Sequence, residues 1–221
     1  MYTLYIGNKN YSSWSLRTWV LMRSLGIPFI EKRILLDRPD SAAKLHGVSP
    51  SGRVPCLHDG DVAVWDTLAI AEYLAERHRG IWPEDGIARA WARSVSAEMH
   101  SGFSSLREQM AMNVRLRAAK APSPAAAADI ARILALWAEG RERFGPGGTF
   151  LCGDFCAVDA FWCPVAFRFQ SYGVPLVGIA AAYARALLDL PAMAEWAADA
   201  ERETERIAAI DLAQAQTQTQ Q

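Results

Sequence analysis

The feature that most constrains this chain is the punctuation of its first 79 residues. Short β-type runs alternate with helical runs, and Gly, Pro, Asn, Asp or Ser separates each pair. Thr3-Leu4-Tyr5-Ile6 is a strand-like run that enters the polar turn Gly7-Asn8-Lys9-Asn10-Tyr11. A helical pattern follows from Ser13 to Leu25, and Gly26 with Pro28 just beyond supplies a stop signal. Phe29 to Leu36 reads as a second strand, and Pro39-Asp40-Ser41 caps a short helix over Ala42 to His46. Val54–Leu57 and Val62–Trp65 flank His58-Asp59-Gly60-Asp61, where Asp-Gly signals a tight hairpin turn. Asp66 or Thr67 then caps a helix whose apolar stripe is Leu68, Ile70, Ala71 and Leu74. The order strand, helix, strand, helix, hairpin, helix defines an α/β domain over 1–79.

Residues 80–88 contain Pro83 and Gly86 and few periodic apolar positions, and read as a linker. From 89 to 212 the pattern is helical throughout. It predicts one long helix over Ala88–Met112, a break at Ala118–Pro124, and helices near Ala125–Phe144, Val158–Tyr172, Ile179–Leu188 and Pro191–Ile210. The tail 213–221 alternates Gln with Ala or Thr and is expected to be disordered. A chain of 221 residues has length enough to bury a real core in each part. Its net charge of −1 offers nothing to attract nucleic acid or an anionic membrane. No apolar run approaches the roughly 20 residues of a spanning helix, and the N-terminus shows no signal-peptide pattern, so a cytoplasmic location is expected. Cys56, Cys152, Cys156 and Cys163 form no C-x-x-C pair and no zinc-ligand spacing, so they read as reduced structural thiols and no metal is expected.

Four motifs, in order, resemble those of the cytosolic glutathione transferases. Tyr11-Ser12-Ser13-Trp14-Ser15-Leu16-Arg17 is similar to the serine-type signature of the zeta-like classes. Ser49-Pro50-Ser51-Gly52-Arg53-Val54-Pro55 resembles the family's Asn-Pro-x-Gly-Lys-Val-Pro segment, with Ser49 and Arg53 replacing the commoner residues. Trp65-Asp66-Thr67-Leu68-Ala69-Ile70 resembles the acidic-Ser-x-Ala-Ile motif. Gly153-Asp154-Phe155-Cys156-Ala157-Val158-Asp159 resembles the capping segment of the helical domain, with Cys156 where Ser or Thr is usual and therefore a weaker N-cap expected. The resemblance implies a thioredoxin-like N-terminal domain that binds glutathione, followed by an all-α helical bundle that lines the site of an electrophile.

That chemistry needs sulfur held as an anion, because a free thiol has a pKa near 8.5 and the thiolate is the nucleophile. A helix N-terminus supplies unpaired amides and a positive dipole end, and a hydroxyl adds a charge-assisted hydrogen bond. Ser12, Ser13 and Ser15 all sit at such a place, where serines also serve as simple caps. The resemblance assigns Ser12 as the catalytic hydroxyl, with Ser13 as the alternative. The segment carries no sulfur, which argues against disulfide exchange. By the same resemblance, Val54-Pro55 is a cis bond presenting the Val54 backbone to the tripeptide. Asp66 takes the γ-glutamyl ammonium and Thr67 its carboxylate. Arg53 faces the glycyl carboxylate, Lys44 and His46 being weaker candidates, and Trp14 walls the sulfur pocket. Arg17 is expected to pack and pair structurally. Trp19, Trp91, Trp137, Trp162 and Trp196 fall on apolar helix stripes and are expected in the core. On the long helix, Met99, His100, Phe103 and Arg107 share one broad face and are candidates for the electrophile side, with Met99 and Phe103 also readable as core.

The resemblance implies transfer of glutathione to a small apolar electrophile, as in detoxification. Two alternatives stay open: a maleylacetoacetate-type cis–trans isomerase that returns its glutathione, and a non-catalytic binding module of the same fold. A two-fold homodimer is also implied, with Arg89 and Arg93 available to meet acids across its seam.

Overall fold

The computed structural model describes residues 1–211, so the expected tail at 213–221 lies outside the described residues. Strands β1 (Tyr2–Ile6), β2 (Phe29–Arg33), β3 (Cys56–Asp59) and β4 (Val62–Trp65) form one sheet in the order β2-β1-β3-β4. β1 and β2 are parallel, β1 and β3 antiparallel, and β3 and β4 form the hairpin around Gly60. Helix α1 (Ser13–Ser24) makes the crossover between the parallel strands, and α2 (Ser41–His46) and α3 (Thr67–Ala75) complete this part. The register places Leu4 opposite Leu57, and both are fully buried with Ile6. β2 ends at Arg33, short of the expected Leu36, because β1, its partner in the ladder, ends at Ile6. β3 begins at Cys56, just after a cis Val54-Pro55 peptide.

The helical part comprises α4 (Gly86–Ser101), α5 (Ser104–Gln109), α6 (Pro124–Arg143), α7 (Ala157–Tyr172), α8 (Gly178–Leu188) and α9 (Pro191–Arg202). α4 starts inside the segment read as linker, because Asp85 accepts from the Ile87 and Ala88 amides and caps it there. α1 packs against α7, so the two parts share one continuous core. Trp19, Trp137, Trp162 and Trp196 are buried in it and Trp91 packs against it.

Two expected helices end early. The long helix over 88–112 is two helices, broken where Gly102 is extended and Phe103 adopts a left-handed φ of 59°. Phe103 then packs on Trp162, with ring centroids 5.9 Å apart. The Asp129 carboxylate on α6 accepts from the Leu106 amide at 2.9 Å and caps the new helix. α9 stops at Arg202 because Glu203 turns its carboxylate onto the Lys9 and Asn10 amides at 2.7 and 3.0 Å. All four cysteines are free. Among the described residues no helix is long and apolar enough to cross a membrane.

Candidate functional site

The start of α1, the loop before β3, the start of α3 and the end of α4 meet at a cleft of about 460 Å³. Trp14 comes from α1, Arg53, Val54 and Pro55 from the loop, Asp66 and Thr67 from α3, and His100 from α4. Seven residues expected from sequence are thus brought together. Ser51 and Trp65 also line the cleft and were not singled out as site residues, although each lies within one of the resembling motifs. Two other hollows, of about 370 Å³ beside the start of α4 and about 420 Å³ between α7 and α8, gather none of these residues.

At the start of α3, Asp66 has φ 73° and ψ 134°, a backbone region that side-chain-bearing residues rarely adopt and that is often strained at functional sites. One carboxylate oxygen accepts from the Leu68 amide at 2.9 Å, and the other lies 3.2 Å from His100 Nε2. Thr67 is buried, yet its hydroxyl has no partner among the described residues. A buried hydroxyl without a bond is costly, and a ligand group that supplied one would be favoured there.

At the start of α1, Ser12 and Ser13 are both buried. The Ser12 hydroxyl donates to Ser15 Oγ at 2.7 Å, and Ser15 Oγ also accepts from the Gly7 amide. The Ser13 hydroxyl accepts from Arg168 at 3.3 Å. Trp14, not either serine, is the α1 residue that lines the cleft. Its ring carries Arg17 at 4.3 Å and Arg107 at 5.1 Å, distances at which cation–π attraction acts.

Of the four α4–α5 candidates, His100 reaches the cleft. Met99 is fully buried in the core, and its carbonyl accepts from both Arg17 and Arg107. Phe103 points into the core and Arg107 stands behind Trp14, because the break at Gly102 takes both off the α4 face. Arg17 is buried as expected but pairs with no acid. Indeed, among the described residues none of Arg17, Arg107 and Arg168 forms an ion pair with a carboxylate. Burial, together with the neighbouring guanidiniums, holds Arg17 well below its ordinary pKa, and burial with Arg107 nearby lowers Arg168 to about 10. Such uncompensated buried charge favours an anion close to Trp14 and the α1 N-terminus.

A β2-β1-β3-β4 sheet with a cis-proline beside its cleft, joined to an all-helical part, defines a thioredoxin-like domain fused to a helical domain. Residues 11–77 match the glutathione S-transferase N-terminal domain family. The overall fold matches a glutathione transferase homologue from Burkholderia solved with bound glutathione, at 23% identity and TM-score 0.68 over 91% of this chain and 99% of that one. It also matches a glutathione S-transferase from Xylella fastidiosa, at 18% identity and TM-score 0.66 over 91% and 99% of the two chains. In sequence, a probable maleylacetoacetate isomerase from Caenorhabditis elegans is 32% identical over 106 residues, covering 47% of this chain and 48% of that protein. The match thus spans about half the length of that relative. Residues 11–77 therefore form a domain of the glutathione S-transferase N-terminal type, and the chain as a whole shares the fold of solved glutathione transferases.

Proposed function

We propose that this protein is a glutathione transferase of serine type, holding glutathione in the cleft as thiolate for attack on a small electrophile. The observation that carries this reading is the convergence of the cis Val54-Pro55 loop, Asp66-Thr67 and the start of α1 on one cleft. Asp66 offers its carboxylate to the γ-glutamyl ammonium, and the unpartnered Thr67 hydroxyl suits the neighbouring carboxylate. The Val54 backbone pairs with the cysteinyl residue, and exposed Arg53 meets the glycyl carboxylate. Ser12 turns its hydroxyl from Ser15 to the sulfur. The cations behind Trp14 then favour the thiolate over the thiol. The sulfur forms a bond to the electrophilic carbon while a leaving group departs or a conjugated π pair shifts away. Trp14 and His100 border the space this needs.

Similarity to the maleylacetoacetate isomerase favours a second reading at the same site. There the sulfur adds to a conjugated double bond, the resulting single bond rotates, and the C–S bond breaks to return glutathione. A homodimer in the cytoplasm is part of the proposal. Exposed Val62 and Trp65 on edge strand β4 and exposed Ile87 on α4 offer apolar surface for a second subunit. Arg93 is engaged by Glu72 within the chain and Arg89 by the Pro83 and Glu84 carbonyls, so neither is the natural choice for a seam contact.

Ser12→Ala tests the assignment. Glutathione binding should be nearly unchanged, while turnover with a panel of electrophiles should fall about ten- to a hundredfold at neutral pH, the equivalent of one charge-assisted hydrogen bond of roughly 1.5–3 kcal/mol. Part of the loss should return at high pH, where the thiol ionises unaided. Full activity with an unchanged pH profile would move the role to Ser13 or to the backbone amides. No turnover by the wild-type protein, with glutathione still bound, would favour the binding module.

A further inference from the structure

His100 belongs to the helical part of the molecule, yet its Nε2 lies 3.2 Å from a carboxylate oxygen of Asp66, which caps the last helix of the sheet part. Both residues line the cleft. The other ring nitrogen, Nδ1, is buried without a partner among the described residues. That asymmetry fixes the tautomer. Neutral His100 places its hydrogen on Nε2, toward Asp66, and leaves Nδ1 bare. Protonation converts a hydrogen bond from a neutral imidazole to the Asp66 carboxylate into an ion pair, and it puts an unsatisfied N–H on Nδ1. The groups facing the imidazole are Asp66 from the α3 cap, Arg17 from α1, Arg107 from α5 and the Trp14 ring, whose centroid is 5.0 Å away. Burial and the two arginines lower the pKa of His100, and Asp66 opposes them.

We propose that His100 and the γ-glutamyl ammonium of glutathione are rivals for the same Asp66 oxygen, so that affinity for glutathione falls as His100 takes up a proton. The proposal rests on the reading of Asp66 as the ammonium's ligand. At neutral pH the rival is a neutral imidazole, and an ammonium displaces it at the loss of one hydrogen bond from an uncharged donor. In acid the rival is an imidazolium already paired with the carboxylate, set among Arg17 and Arg107. An arriving ammonium must then break a charged pair and leave a third cation facing those two. His100 is on this view a positioning residue that couples the α4 side of the cleft to occupation of the glutathione side.

The experiment is calorimetric titration with S-methylglutathione, whose sulfur cannot ionise, so that thiolate chemistry at Ser12 does not enter. Its carboxylates and ammonium largely keep their charges between pH 7 and pH 5.5. Wild-type affinity should fall severalfold over that interval as His100 takes up its proton. His100→Gln keeps an N–H donor that cannot be protonated, and its affinity should be the same at both pH values. Wild-type titrations near pH 6 in buffers of different ionisation enthalpy should show net proton release on binding, a readout independent of how well the variant folds. Parallel pH dependence in wild type and His100→Gln, or zero release or net uptake of protons, overturns the rivalry and leaves the glutathione site standing. Failure of the wild-type protein to bind S-methylglutathione at either pH overturns both.

Discussion

Two aspartates hold the starts of two helices, and they do so in opposite ways. Asp159 caps α7 from inside the core. One of its oxygens accepts from the Leu151 amide at 3.1 Å and the Tyr183 hydroxyl at 2.8 Å, and the other from the Cys156 amide at 3.0 Å. Asp66 caps α3 at the rim of the cleft, with strained backbone, a side chain 45% exposed, and a buried neighbouring hydroxyl that bonds to nothing described. Both residues sit in segments that read from sequence as ordinary caps. The first has used its hydrogen-bonding capacity to hold the fold. The second, with Thr67, has capacity left over, and leftover capacity at a strained position is what a binding site requires.

If Asp159 is purely structural, its removal should destabilise the protein more than any substitution at the cleft. Asp159→Ala leaves two buried amides and the Tyr183 hydroxyl without an acceptor, at about 1–3 kcal/mol each. Chemical denaturation should show a loss of about 3 kcal/mol or more. Burial pushes the Asp159 carboxyl up to about 6. Because this folded-state pKa lies above the unfolded value of about 3.9, the group favours folding most when protonated, and that advantage is lost as pH rises from about 4 to about 6. Relative to Asp159→Asn, which does not titrate, the wild type should therefore gain stability as pH is lowered from 7 to 4.5. A variant as stable as wild type would remove the distinction between the two caps.

Local signals made most of the elements legible. Ser12 and Asp66 each sit at a helix start with a side chain that accepts from the first turn, whereas the equally local Asp85 cap was missed inside the segment read as linker. The larger misses lie where a distant residue decides. α4 and α5 are separate because Phe103 finds Trp162 and because Asp129 supplies a cap from α6, neither of which is encoded within the segment 88–112. α9 ends because Glu203 is drawn to amides 193 and 194 residues away. The cleft was legible through its motifs, but the unpaired arginines behind Trp14 were not. Arg17, Arg107 and Arg168 are far apart in sequence, and only the packing of α1, α5 and α7 gathers them.

Asp66→Gly separates the two jobs of the rim cap. Glycine adopts a φ of 73° without strain, which returns about 1–3 kcal/mol. Lost backbone restriction takes back about 0.5–1 kcal/mol, and the lost cap a few tenths more. Thermal unfolding should show a protein as stable as wild type or about 1 kcal/mol more stable. Glutathione affinity should drop about ten- to a hundredfold, because the ammonium loses a charged acceptor worth about 1.5–3 kcal/mol. Lower stability together with unchanged affinity would put Asp66 in the same class as Asp159.

Thr67→Val is the smallest change and the most direct probe of leftover capacity. Valine matches threonine in shape and removes only the hydroxyl, which is buried and has no partner among the described residues. In a structural cap this deletion would break a bond and destabilise the protein. Here no bond is lost, and the desolvation penalty of an unsatisfied hydroxyl, about 1–3 kcal/mol, is relieved in part. Thr67→Val should therefore unfold at the same denaturant concentration as wild type or a slightly higher one. The hydroxyl's only use would be to a ligand carboxylate, so affinity for glutathione should fall about two- to tenfold, the worth of a single hydrogen bond of roughly 0.5–1.5 kcal/mol. The backbone amides at the start of α3 remain to hold the carboxylate, which is why the loss is smaller than for Asp66→Gly. Destabilisation by Thr67→Val with affinity intact would show that the hydroxyl serves the fold, and the contrast between the two helix starts would then rest on Asp66 alone.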